Sequence, residues 1–76
     1  MVNPNCINIL RILTDGIPRS RDEISRMLHL PRDQTIPGVW AALVQLDLVH
    51  RVGFVGDIGQ YSITDIGRGY LRLLPP

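Results

Sequence analysis

The segment from Thr35 to Ile63 constrains the fold more than any other part of this sequence. Its first part carries apolar residues at helical spacing, namely Val39, Ala42, Leu43 and Leu46. This spacing predicts a helix with one apolar face turned toward a core. Asp47 follows, and aspartate tolerates the left-handed backbone conformation that often ends a helix. Two β-favouring runs come next, over 48–55 and 60–63, joined by Gly56–Gly59. The segment therefore predicts a helix that leads directly into a β-hairpin.

Two shorter helices are predicted before this segment. Asn3 and Pro4 form a start signal, with Asn as the N-cap and Pro at the first helical position, and Gly16 ends that helix. Ser20 and Glu23 have the spacing of a capping box, which opens the second helix. The residues expected on the inner faces of the two helices are Cys6, Ile9, Leu10, Leu13, Ile24, Met27 and Leu28.

A last helix is predicted after the hairpin. Thr64 can cap it, with Asp65 near its positive end. The residues expected to return to the core are Ile66, Tyr70, Leu71 and Leu74. Gly67 and Gly69 are expected to weaken this helix by up to about 1 kcal/mol each relative to alanine. A short strand near Ile17 could add a third member to the sheet.

Length and composition exclude several classes of protein. The 76 residues suffice for one small domain, 1–76. No apolar run approaches a membrane span and no signal peptide is evident, so we expect a cytoplasmic protein. Cys6 is the only cysteine, which fits a reducing compartment. His29 and His50 are too isolated for a metal site, and no nucleophile–base pair is evident. We therefore expect no enzyme activity and no cofactor.

Two segments resemble bacterial winged helix-turn-helix regulators of the MarR, ArsR and PadR kind. Residues 42–51, ALVQLDLVHR, resemble the end of a recognition helix leading into the first wing strand. Residues 61–71, YSITDIGRGYL, resemble the second wing strand running into the final helix. The resemblance covers nearly the whole chain and implies an α+β winged helix-turn-helix fold, with three helices, a β-hairpin wing and a C-terminal helix. It further implies a third helix in the DNA major groove and a wing against the backbone or minor groove.

The first functional hypothesis is a small transcriptional regulator that binds double-stranded DNA as a homodimer. All eight cations are arginines, which suit bidentate contact with phosphate, although a GC-rich genome would give the same bias. The candidate DNA-binding residues are Arg19, Arg21, Arg32, Gln34, Thr35, Gln45 and Arg51. Gln45 is the one outward residue of the third helix that can pair with adenine. The net charge of only +1 leaves ordinary surface charge as the alternative for the arginines.

The second hypothesis is a module that binds a protein. The predicted outer arc of the third helix is nearly uncharged, and the wing, 53–60, contains Asp57 and no cation. An apolar surface of this kind favours a protein partner. The candidate contact residues are Pro37, Trp40, Ala41, Val44, Phe54 and Ile58. Inward packing is the alternative for Trp40, and packing of alternate wing-tip residues onto the body is the alternative for Phe54 and Ile58. A phage or plasmid protein that inhibits a host factor would fit this description.

Overall fold

The computed structural model describes residues 4–29 and 37–74. Within these ranges it contains four α-helices, one 3-10 turn and one antiparallel hairpin, in the predicted order. The helices are α1 (Pro4–Ile12), α2 (Arg21–Met27), α3 (Pro37–Gln45) and α4 (Asp65–Arg72), the 3-10 turn is Leu13–Asp15, and the strands are β1 (Val49–Val55) and β2 (Ile58–Ile63). The predicted α+β architecture is confirmed.

Three predicted helix ends, at Gly16, Ser20 and Asp47, are formed by the expected residues, whereas Asn3, the predicted cap of α1, lies outside the described residues. Gly16 has a φ of +80° and its N–H donates to the Leu13 carbonyl, which closes the 3-10 turn after α1. Ser20 and Glu23 form both halves of the capping box at the start of α2. Asp47 adopts a φ of +58° in the turn between α3 and β1. Local sequence signals therefore fix where these helices end.

The core lies where α1, α3 and the base of the hairpin meet. Its fully buried aliphatic side chains are Ile9, Leu10, Leu13, Ile24, Leu43 and Val49. Leu28, Tyr70 and Leu71 pack against this cluster, as predicted. Leu43 is the residue of α3 that enters the core most deeply, so the predicted rotation of α3 is confirmed at Val39 and Leu43.

Three predicted core residues are exposed instead. Met27 is the last residue of α2, and its side chain lies at the surface. Leu46 follows the end of α3, so helical spacing no longer determines its direction. Ile66 faces solvent because Gly67, its neighbour, occupies the inner side of the first turn of α4. The expectation of core positions for these three residues was wrong.

The hairpin is tighter than predicted. β1 ends at Val55 and β2 begins at Ile58, so only Gly56 and Asp57 form the turn. Gly56 has a φ of +60° and Asp57 does not have a positive φ, which is the pattern of a type II′ turn. The predicted loop, 56–59, was therefore too long by the two residues that extend β2.

The third strand position is occupied by Arg19 and not by Ile17. Arg19 exchanges two backbone hydrogen bonds with Tyr61, with N···O distances of 3.0 and 2.8 Å. Ile17 lies in the exposed connection before this bridge. The bridge places the start of α2 beside the outer edge of β2.

Candidate functional site

The outward face of α3 is small, apolar and uncharged. Gly38, Ala41, Val44 and Gln45 are exposed along one side of the helix. The opposite side is anchored by Val39 and Leu43 in the core. Because the helix contains no charged residue, any contact with a partner relies on close approach, van der Waals contact and the Gln45 amide. Pro37 begins α3, and its side chain lies outside the described part.

Trp40 is a packing residue and not a surface anchor. Its side chain is 3% exposed. Its ring lies 4.9 Å from that of Tyr61 on β2, and the Arg21 guanidinium lies 5.5 Å from its centre. Trp40 thereby joins α3 to α2 and the hairpin, which removes it from the predicted protein-contact surface. Among the described residues, no acceptor meets its buried indole N–H.

Arg19 is held within the domain. Its guanidinium forms a two-bond contact with the Asp15 carboxylate, at 2.9 and 2.7 Å, and also donates to the Ile12 carbonyl at 3.1 Å. The hydrogen bonds from Arg19, together with one from the Ile17 N–H, lower the pKa of Asp15 to about 2. This arrangement stabilises the connection between α1 and α2, so Arg19 is committed to the fold and is poorly placed to bind a phosphate.

Arg21 and Arg51 are two described cations of the predicted set that lie, respectively, against α3 and within the wing. Arg21 is the first residue of α2, and Arg51 lies in β1 near the base of the wing. The Arg51 guanidinium lies over the Phe54 ring, 4.8 Å from its centre. Arg32, Gln34 and Thr35, which precede α3, lie outside the described residues. The structure therefore places Arg21 against Trp40 of α3 and Arg51 against Phe54 of the wing, and the predicted DNA-binding set stays a prediction.

The wing presents apolar side chains to solvent. Phe54 is 59% exposed, Val55 67% and Ile58 55%. Val52 is also exposed, because Arg51 pairs with Tyr61 and Gly53 with Gln60, leaving Val52 as the extra residue of a β-bulge. Sequence reasoning missed Val52, since an alternating strand pattern would have placed it on one face, and a bulge changes that alternation.

A cleft between α2 and the wing was also missed. It has a volume of about 700 Å³ and is lined on the α2 side by Asp22, Glu23 and Arg26. Val55, Ile58 and Gln60 line the wing side. These residues are separated by more than 25 positions in the sequence, so no local signal could have brought them together.

The described part of the chain contains neither a metal-binding cluster nor a helix suited to a membrane. Residues 4–29 and 37–74 include no group of three or more His, Cys, Asp or Glu placed to hold a metal ion. Of the described helices, none combines the length and the apolar character needed to cross a membrane.

Several solved structures are similar to this fold. NMB1585, a MarR family regulator from Neisseria meningitidis, is 30% identical with a TM-score of 0.71, over 90% of this chain and 49% of its own. A candidate DNA-binding protein from Ralstonia eutropha JMP134 is 21% identical with a TM-score of 0.72, over the full length of both chains. The transcriptional regulator SlyA is 11% identical with a TM-score of 0.70, over 91% of this chain and 49% of its own.

The extent of these similarities differs between the three proteins. The chain spans about half the length of NMB1585 and SlyA. No protein-family model and no curated protein matches the sequence. The order of helices, the antiparallel wing and the agreement with these structures lead to one conclusion. The chain is a winged helix-turn-helix domain.

Proposed function

We propose that this domain binds double-stranded DNA through α3 and the wing and acts in transcriptional regulation. The observation that carries the proposal is the rotation of α3. Val39, Trp40 and Leu43 hold one side of the helix in the core, which leaves the other side available to a groove. The similar structures include two regulators, which supports the same role here.

The chemistry of α3 limits how it reads bases. The Gln45 amide can form a bidentate pair with adenine, and Ala41 and Val44 can contact thymine methyl groups. Gly38 and Ala41 are small, so the helix can approach the base edges closely. Positioning on the backbone falls to Arg21 and Arg51, because Arg19 is held by Asp15. Such a surface favours A·T-rich sites with modest affinity per domain.

Dimerisation would compensate for this modest affinity by adding a second half-site. Ile66 and Gly69 of α4 and its C-cap residue Leu73 follow helical spacing, and Leu73 is 84% exposed. A Cβ at Gly69 would meet no atom within 4 Å, so nothing in the described domain requires glycine there. We propose that two α4 helices cross at Gly69. Leu73→Asp should then convert a dimer to a monomer, as measured by size-exclusion chromatography with light scattering.

The DNA proposal is tested by the salt dependence of binding. Fluorescence anisotropy with a random-sequence duplex should show affinity that falls linearly with the logarithm of salt concentration. Arg51→Gln should reduce that slope by about one phosphate contact. Arg11→Gln removes the same charge from the exposed end of α1 and should leave the slope nearly unchanged. No binding at low salt, or equal effects of the two substitutions, would contradict the proposal.

The exposed apolar wing favours a second candidate function, binding to a protein. Phe54, Val55 and Ile58 form an apolar tip whose turn carries only the negative charge of Asp57. Phe54→Ser should then abolish capture of the partner while the domain keeps its unfolding temperature. Retained capture by this variant would exclude the wing as the contact surface.

A further inference from the structure

The cleft between α2 and the wing borders an incomplete edge of the hairpin. Arg19 pairs with Tyr61 on the outer edge of β2, with both backbone hydrogen bonds formed. The antiparallel register would place residue 21 opposite Gly59, but the chain has already turned into α2 at Arg21. Residues 19–29 therefore place no strand beside Gly59.

The backbone of Gly59 is directed toward that position. In an antiparallel sheet, successive residues of a strand form hydrogen bonds alternately to one side and to the other. Tyr61 bonds to Arg19 on the outer side, so Gly59, two residues earlier, also directs its N–H and C=O outward. No backbone group of the described residues outside the hairpin bonds to either of them. Gly59 thus offers one donor and one acceptor to an incoming strand.

The walls of the cleft differ in chemistry. The α2 wall carries the carboxylates of Asp22 and Glu23 with the single cation of Arg26, for a net charge of −1. The wing wall carries the exposed side chains of Val55 and Ile58. A ligand that satisfies both walls must combine basic groups with apolar ones. The volume of about 700 Å³ is in the range of ligand sites and admits several residues of an extended chain.

We propose that this cleft binds an extended peptide segment of a partner protein, rich in alternating basic and apolar residues, as an added strand beside β2. The backbone of the segment would bond to Gly59 and continue the pairing that Arg19 begins at Tyr61. Its apolar side chains would cover Val55 and Ile58, and its basic side chains would meet the α2 carboxylates. Main-chain bonds supply affinity and the two walls supply selectivity in this mode of recognition.

Charge separates this proposal from DNA binding in the same cleft. Asp22 and Glu23 would repel phosphate groups, whereas they attract arginine or lysine. The inference is independent of DNA binding by α3, because it uses neither the outward face of α3 nor Arg51.

The proposal is tested with a synthetic probe and the complete chain. The probe is a capped heptapeptide of alternating valine and arginine, titrated into ¹⁵N-labelled protein and followed by two-dimensional NMR. The Gly59 amide signal should shift and its exchange with solvent should slow. A matched peptide with glutamate for arginine, and one with N-methylated backbone amides, should each bind about tenfold more weakly.

Substitutions in the domain test the two walls separately. Asp22→Lys and Ile58→Asp should each weaken binding of the arginine probe by about tenfold. Asp57→Lys makes the same charge change as Asp22→Lys at the exposed wing turn, outside the cleft lining, and should have a much smaller effect. Thermal unfolding of each variant, measured first, confirms that it is folded; if Ile58→Asp unfolds the domain, Ile58→Ser replaces it.

Four results would overturn the proposal. The first is binding of the probe without a change at the Gly59 amide. The second is equal binding of the glutamate peptide, and the third is equal weakening by Asp57→Lys and Asp22→Lys. The fourth is a Gly59 shift produced by protein concentration alone, which would assign the cleft to a second copy of the chain.

Discussion

Replacing Gly67 with alanine should destabilise the domain although it improves helix propensity. Gly67 lies in the first turn of α4, where its N–H donates to the capping hydroxyl of Thr64 at 2.9 Å. A Cβ at this position would lie 2.3 Å from the Leu48 carbonyl oxygen and 2.8 Å from Cγ1 of Ile63. The shorter distance is about 1 Å inside ordinary van der Waals contact. The start of α4 therefore packs directly on the backbone that precedes β1.

The size of the effect follows from two opposing terms. Alanine is favoured over glycine in a helix interior by about 1 kcal/mol. Forcing a methyl group into a well-packed site costs about 1–3 kcal/mol. The upper part of this range applies here, because the nearest atom is backbone and its carbonyl already accepts a hydrogen bond from the Thr64 N–H. The expected net loss is about 2 kcal/mol, which corresponds to a fall in Tm of about 8–16 °C for a domain of this size.

Gly69 provides the matched control in the same helix. A Cβ at Gly69 would meet no atom of the described domain within 4 Å, so Gly69→Ala should gain the propensity term alone when both glycine variants are made in the monomeric Leu73→Asp background. That gain is about 0.5–1 kcal/mol, and it should raise Tm by a few degrees. Thermal and urea unfolding of both variants, followed by circular dichroism at 222 nm, measure the two effects. If Gly67→Ala is as stable as the original protein, the close packing of α4 on Leu48 is wrong.

Three further predictions follow from the described contacts. Asp15→Asn should lower stability at neutral pH, because hydrogen bonds, chiefly from Arg19, depress the pKa of Asp15 from 3.8 to about 2. The ionised carboxylate therefore stabilises the fold fully above pH 3.8. In urea unfolding, the difference in stability between the variant and the original protein should vanish as the pH falls through about 2. Thr64→Ala should lower the free energy of unfolding by about 1 kcal/mol, because it removes the cap of α4. Thr64→Ser keeps the capping hydroxyl and should retain most of that stability in thermal unfolding. Val44→Asp should leave Tm nearly unchanged and weaken DNA binding in anisotropy assays; loss of folding would show that the assigned rotation of α3 is wrong.

Local signals were sufficient to predict most of the fold. The capping box at Ser20, the left-handed residues Gly16 and Asp47, and the cap at Thr64 all depend on contacts within a few residues. The spacing of apolar residues likewise predicted the side of α3 that faces the core, as the burial of Leu43 shows. Such features are predictable because the residues that cause them are adjacent in the sequence.

Contacts between distant segments were not predictable in the same way. Helix propensity indicated that Gly67 weakens α4, whereas its role depends on the approach of Leu48, 19 residues earlier. The Arg19 guanidinium was expected to be available to a phosphate, but it bonds to the Asp15 carboxylate and the Ile12 carbonyl instead. To predict the cleft, one would need to know how α2 and the wing tip are placed relative to each other. A single sequence gives the period of each element and not the distance between elements.

The burial of Trp40 changes the weight of both functional hypotheses. It removes a large aromatic anchor from the predicted protein-contact surface, and the Asp15 contact likewise removes Arg19 from the predicted DNA-contact surface. The two remaining described cations of the predicted DNA-binding set both lie against aromatic rings, Arg21 over Trp40 and Arg51 over Phe54. A guanidinium held on an aromatic face loses less freedom when it contacts a phosphate. Phe54, whose exposure suggested a protein partner, can therefore serve DNA binding by positioning Arg51, so an exposed aromatic residue on this wing does not by itself argue against DNA.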